Sequence, residues 1–174
     1  MRIAVSADLH RSEPDGSDIP EAVIDAFAGA DLIALCGDIG VAGTIERFAT
    51  MAEVVAVRNE TSADDGGGLA PDVTKVIRAE GTGLDIGLSF RLGEDLQVVD
   101  GVLVAAGGDV RLAVNEHFGA PVDVVLFGST HAPMVCHADG ILFVNPGSPT
   151  FADRRTVALV DIVGGVCHVQ IVDV

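Results

Sequence analysis

Tryptophan and tyrosine are absent from this chain, and lysine occurs once, as Lys75, beside nine arginines. Any core must therefore be built from Val, Ile, Leu, Ala and seven phenylalanines. Apolar residues make up 49% of the 174 positions, which is enough for one well-filled domain spanning 1–174. The shortage of positive side chains removes the basic stripe that phosphate backbones require, so nucleic acid is excluded as a bulk partner. No apolar run approaches the ~18 residues of a membrane helix, and no membrane association is expected. The opening Met1–Asp8 has a very short apolar run before its first acid and reads as a strand, not a secretory signal. A cytoplasmic protein is expected. The cysteines, Cys36, Cys136 and Cys167, are odd in number and form no CxxC pair, so they read as buried free thiols.

What is present alternates. Arg2–Ala7 is an apolar run fit for a buried strand. Asp18-Ile-Pro-Glu21 then opens a helix, with Asp18 as its cap, Pro20 in the first turn and an end near Gly29. Leu32–Cys36 is a second buried strand, Thr44 caps a helix running to about Met51, and Glu53–Val57 is a third strand. The polar stretch Thr61–Gly68 reads as a mobile loop, and Pro71–Leu92 fits neither helix nor strand cleanly. Gly101–Ala106 reads as a buried strand, Val110–Phe118 as a helix stopped by Gly119, and Val122–Phe127 as a strand. Short strands at Met134–His137, Ile141–Val144, Thr156–Ile162 and Val166–Val172 follow, joined by Asp-Gly or Gly-Gly turns. The expected fold is an α/β layered sandwich of two sheets with flanking helices.

In such folds ligands collect at the carboxyl ends of strands, and that is where the polar residues fall. The first strand ends in Asp8-Leu9-His10, the second in Gly37-Asp38, the third near Asn59, and the strand at Val122 in Gly128-Ser129-Thr130-His131. Two carboxylates, two imidazoles and an amide at one sheet edge suit Mn, Fe or Zn. No Gly-x-Gly-x-x-Gly follows the first strand, which argues against a dinucleotide-binding domain.

Asp8-x-His10, Gly37-Asp38, Asn59, Gly128-x-x-His131, Asn145-Pro146-Gly147-Ser148-Pro149 and Arg154-Arg155 together resemble the small archaeal and bacterial phosphodiesterases of the calcineurin-like metallophosphoesterase superfamily. The resemblance implies a four-layer α/β/β/α sandwich, two mixed sheets flanked by helices. It implies a pair of metal ions about 3.5–4 Å apart that activate water for attack on phosphorus. Asp8, His10, Asp38 and His131 match the ligands of one site, with manganese expected first and zinc, iron or nickel as alternatives. The other site should take Asp38, Asn59 and two further histidines. One of these falls on Ser129. The other, from a His-Gly pair ahead of the helix at Val110, falls on Gly107-Gly108. Asp109 reads as the cap of that helix rather than a substitute ligand, and Glu60 as a solvated acid. His117, expected on an exposed helix face, and His137 and His168, on the meander, match no ligand.

Two function classes follow. The first is a phosphoesterase acting on a small phosphate ester, with Asp38 and Asn59 at the reacting centre and Arg58 pairing with phosphate oxygens. The second is a protein-interaction scaffold, since the retromer scaffold subunit of that superfamily has the same fold and an impaired site. A homo-oligomer would be in keeping with the family.

The formal net charge of −16 bears on the environment. Self-repulsion at this level destabilises a compact chain in dilute buffer, and it largely vanishes at molar salt, where the Debye length is ~3 Å. A salt-rich cytoplasm, such as that of haloarchaea, is expected. Unfolding midpoints should therefore climb steeply as KCl rises toward molar concentrations, and full stability in dilute buffer would refute the assignment.

Overall fold

The computed structural model describes residues 1–99 and 102–174. The chain begins β1 (Arg2–Ser6), α1 (Glu21–Phe27), β2 (Leu32–Cys36), α2 (Ala42–Ala49) and β3 (Glu53–Val57). It continues through β4 (Thr74–Ala79), β5 (Leu84–Ser89), β6 (Leu96–Val99), β7 (Val102–Ala105), α3 (Val110–Phe118) and β8 (Val124–Phe127). It closes with β9 (Pro133–Ala138), β10 (Ile141–Pro146), β11 (Thr156–Val163) and β12 (Val166–Asp173).

Two mixed five-stranded sheets result, in the orders β12-β11-β1-β2-β3 and β4-β5-β8-β10-β9. Each contains three adjacent parallel strands: β1, β2 and the edge strand β3 in one, and the central β5, β8 and β10 in the other. Both faces of β2 and β8 are covered, so these two read as unbroken apolar runs instead of alternating. In β2, Leu32, Ala34 and Cys36 enter the core between the sheets, while Ile33 and Leu35 face α1 and α2. There Phe27 and Phe48 pack with ring centroids 5.3 Å apart. The outer face of the second sheet, through Val125, Phe127 and Phe143, packs on Val110 and Val114 of α3 and Leu96 and Leu103 of β6 and β7. This is the four-layer α/β/β/α arrangement. Among the described residues, no helix is long and apolar enough to cross a membrane.

Several local expectations change. Asp18 does not cap α1; its carboxylate accepts from the Ser12 and Glu13 amides at 2.9 and 3.4 Å, and the helix starts after Pro20 without a side-chain cap. Thr44 lies buried inside α2, which begins after Val41. The segment Pro71–Leu92 holds β4 and β5, the latter a central strand. Of the expected strand Gly101–Ala106, Gly101 lies outside the described residues. The rest is β7, paired only with β6 in a separate hairpin, with Val102 and Val104 exposed. Asp109 caps α3, accepting from the Leu112 amide at 2.8 Å, and Gly119 ends it in the left-handed region. His117 is half-buried against Gly93 rather than exposed. Only Cys36 of the thiols is buried.

Candidate metal centre

The carboxyl ends of β1, β2, β3, β5, β8 and β10 converge on one edge. Beyond β1 and β2 the chains stay paired, with the Asp8 amide donating to the Gly37 carbonyl at 3.0 Å and the His10 amide to that of Asp38 at 2.8 Å. Asp8 is fully buried. Its Oδ2 accepts from the Ser129 amide at 3.0 Å, and its Oδ1 lies 3.2 Å from His131 Nε2. Ligand atoms of Asp8, His10 and His131 all lie within 4.8 Å of one another. Two of them, Asp8 Oδ1 and His10 Nε2, are buried without a hydrogen-bond partner. Orphaned buried polar atoms that point to a shared centre are unusual in a folded chain, and one oxygen with two imidazole nitrogens suits a divalent Mn, Fe or Zn. The donor set therefore fits the metal that the motif implies.

His131 is oriented from behind, its Nδ1 lying 3.1 Å from the Phe151 carbonyl. A proton on Nδ1 donating there leaves the Nε2 lone pair facing Asp8. His10 packs edge-on against the Phe151 ring, centroids 4.5 Å apart. Backbone conformation sets the same residues. Asp8, His10, Asp38, Ser129 and His131 all have positive φ, between 48° and 72°. Non-glycine residues there are strained by on the order of 1–3 kcal/mol each and cluster where function demands it.

Asp38 stands beside the cluster, its Oδ2 3.6 Å from His10 Nε2. Its Oδ1 accepts from Asn59 Nδ2 at 2.6 Å. Asn59 turns its own oxygen to the Thr61 amide and hydroxyl, both at 2.9 Å, so it presents nitrogen to Asp38. The Arg58 guanidinium donates to backbone carbonyls, including that of Asn59 at 3.1 Å, and so braces its own loop.

Asp65 went unnoticed in the sequence because it lies in the Gly/Asp-rich stretch read as a mobile loop. It is buried, and its carboxylate accepts from the amides of Ile39, Gly40 and Asn59 at 2.7, 2.9 and 2.9 Å. One side chain thereby fixes the turns after β2 and β3 relative to each other.

The Asn145-Pro146-Gly147-Ser148 segment works as a buttress. Asn145 Nδ2 donates to the Gly128 carbonyl at 2.9 Å and Ser148 Oγ to the Asp8 carbonyl at 2.8 Å. Gly128 has no room for a side chain: a Cβ would collide with Ala7 and the Cys36 carbonyl.

The expectation at Gly107-Gly108 needs correction. That pair follows β7 in the peripheral hairpin, and Gly107 is exposed. The central strand ending at this edge beside β8 is β5, and the Gly128 amide donates to the Phe90 carbonyl at 3.0 Å. Phe90 and Arg91, not a histidine and a glycine, occupy that turn. The Phe90 ring packs where a Cβ on Gly37, next to Asp38, would stand. Arg91 Nε donates to Ser129 Oγ at 3.2 Å, and its Nη1 lies 3.2 Å from Glu60, which is thus ion-paired and not merely solvated. A cleft of about 200 Å³ opens between Arg91 and Gly128–Thr130.

The family model of the calcineurin-like phosphoesterase superfamily domain matches residues 1–165. A probable metallophosphoesterase of Methanocaldococcus jannaschii is 31% identical over 153 residues, covering 86% of this chain and 69% of that protein. A single mutant of Vps29 from Entamoeba histolytica superposes with TM-score 0.67 at 24% identity over 100% and 99% of the two chains. A novel archaeal phosphodiesterase does so with TM-score 0.66 at 17% identity over 99% and 100%. These structural likenesses speak for the fold alone.

Replacing Asp65 by Ala orphans three amides, those of Ile39 and Asn59 buried and that of Gly40 part-buried, and should reduce stability by on the order of 3 kcal/mol. Denaturant titration measures this, and a loss below about 1 kcal/mol would contradict the role. Burial pushes the Asp8 carboxyl up to about 7, against the pull of His131 and of the Ser129 amide. Below about pH 4 it is neutral in folded and unfolded chains alike. Between there and about pH 7 the unfolded chain alone ionises it, so the metal-free fold loses this group's contribution as pH rises through that window. Asp8→Asn should therefore melt above chelated wild type at pH 8, with the gap closing toward pH 4.

Proposed function

We propose metal-dependent phosphoester hydrolysis as the activity of this chain, which belongs to the calcineurin-like phosphoesterase superfamily. The observation that carries the reading is the convergence of Asp8, His10 and His131 with two buried, unpartnered ligand atoms. These three would hold a divalent ion, manganese first and zinc or iron next, with Asp38 as the adjoining carboxylate. When bound, such an ion supplies a water of lowered pKa and a Lewis acid for a phosphoryl oxygen. The side chains do the rest. The Phe151 carbonyl keeps the His131 Nε2 lone pair turned inward. Asn59 donates to Asp38 and so orients that carboxylate at the reacting centre. Arg58 stiffens the loop carrying Asn59. The substrate class is a small phosphodiester or phosphomonoester, and a second ion is disfavoured because Phe90 and Ser129 replace the nitrogen ligands such a site would need.

A second reading, a protein-interaction module, draws on the outward face of the β6–β7 hairpin. Val99, Val102 and Val104 are all exposed there, and exposed apolar clusters mark contact surfaces. The two readings part on turnover. Purified protein should bind about one manganese ion per chain by elemental analysis and cleave bis-p-nitrophenyl phosphate in a manganese-dependent way. The double variant Phe90→His with Ser129→His should bind more metal per chain than wild type. One tightly held ion with no turnover of any phosphate ester would favour the interaction module.

A further inference from the structure

We propose that Arg91 is the phosphate-binding cation of this site, a fixed guanidinium standing where a second metal ion would otherwise act, with Glu60 as its resting counter-ion. The inference rests on the phosphoesterase reading and names the residue that reading lacks.

A phosphate ester entering the site meets one candidate ion and a strongly acidic protein, so it needs another positive partner. Arg11, Arg58 and Arg154 are engaged elsewhere. Arg11 donates to the Leu9 and Asp18 carbonyls at 2.6 and 2.7 Å. Arg58 braces its loop, and Arg154 lies in a two-point pair with Asp173. Arg91 differs in place and partners. It follows β5 directly, and its Nε reaches Ser129 Oγ at 3.2 Å. The Ser129 amide in turn donates to Asp8. One residue therefore separates the guanidinium from the metal cluster. The side chain is about half exposed. With Leu92, Leu96, Val98 and Phe127 it lines a cleft of about 200 Å³ that also takes in Gly128, Ser129 and Thr130, so a phosphoryl group can reach the guanidinium beside Ser129.

The anchoring is firm where it needs to be. Ser89 Oγ donates to the Arg91 carbonyl, the Gly128 amide donates to the Phe90 carbonyl, and the Arg91 guanidinium lies 5.3 Å from the Phe90 ring centroid. The backbone is pinned between β5 and β8 while the guanidinium remains open to solvent. A guanidinium keeps its charge at any working pH and offers a planar fork that matches two phosphoryl oxygens. Glu60 lies 3.2 Å away and is itself exposed, so an incoming phosphate can displace it without burying a charge. Arg91 transfers no proton; it binds the non-bridging oxygens and stabilises charge that develops on them.

The test uses manganese-loaded full-length protein. Titration calorimetry with inorganic phosphate and steady-state hydrolysis of bis-p-nitrophenyl phosphate are measured for wild type, Arg91→Ala, Arg91→Lys and Glu60→Gln, with metal content determined for each. Arg91→Ala should weaken phosphate binding and raise KM by about tenfold with unchanged metal content, because one charge-assisted pair is lost. Arg91→Lys should recover part of the loss, and Glu60→Gln should tighten phosphate by severalfold. Wild-type turnover combined with KM and phosphate affinity within about twofold of wild type in both Arg91→Ala and Glu60→Gln would overturn this inference alone. Manganese-loaded wild type that neither binds phosphate nor cleaves the diester would overturn the phosphoesterase reading and this inference with it.

Discussion

A carboxylate removed wholly from water, with one oxygen left unpaired and facing two imidazoles, governs this molecule. Asp8 is that group, and an isolated buried charge is among the most unfavourable arrangements a protein can hold. The surrounding chain is built around it. The Ser129 amide meets one oxygen, Ser148 and Thr150 hydroxyls hold the Asp8 carbonyl, and Gly128 yields the space in which three turns meet. Strained backbone at Asp8, His10 and His131 brings their ligand atoms together, and Asp38 and Ser129 beside them share the same conformation. A positive partner at its centre would relieve both the burial of that carboxylate and its unpaired oxygen.

Much of this was legible in sequence. Strands β2 and β8 carry unbroken apolar runs because two layers cover them, and Leu32–Cys36 can be delimited from that pattern alone. Polar residues at the ends of such runs have nowhere to go but the sheet edge, which is why Asp8, His10, Asp38 and His131 stood out. The helix caps were less legible. Asp18 and Thr44 have the right chemistry for a cap, but Asp18 is drawn to the Ser12 and Glu13 amides and Thr44 is packed inside the first turn of α2. Local propensity yielded to tertiary contacts.

Two further residues were hidden for different reasons. Asp65 sits among glycines, where acids usually mark solvated turns, and only the fold brings the Ile39, Gly40 and Asn59 amides to it. Arg91 follows β5, whose sequence, Leu-Asp-Ile-Gly-Leu-Ser, mixes apolar and polar residues and hides a central strand. With β5 unrecognised, the turn beside β8 was assigned to Gly107-Gly108, one hairpin too late. Recognising which strand neighbours which requires the pairing of β5 with β8, and composition carries no record of that.

The sulfur atoms lead to a different consequence. Cys36 lies at the end of β2, wholly buried, and burial together with the nearby Asp8 charge raises its thiol far above the ordinary range. It stays protonated, so it neither competes for soft metals nor reacts with alkylating reagents. Cys136 and Cys167 are half-exposed on β9 and β12, edge strands of opposite sheets. Maleimide dyes would thus attach to those two alone, giving a native pair of spectroscopic reporters that straddles the sandwich and leaves the edge carrying Asp8, His10 and His131 untouched.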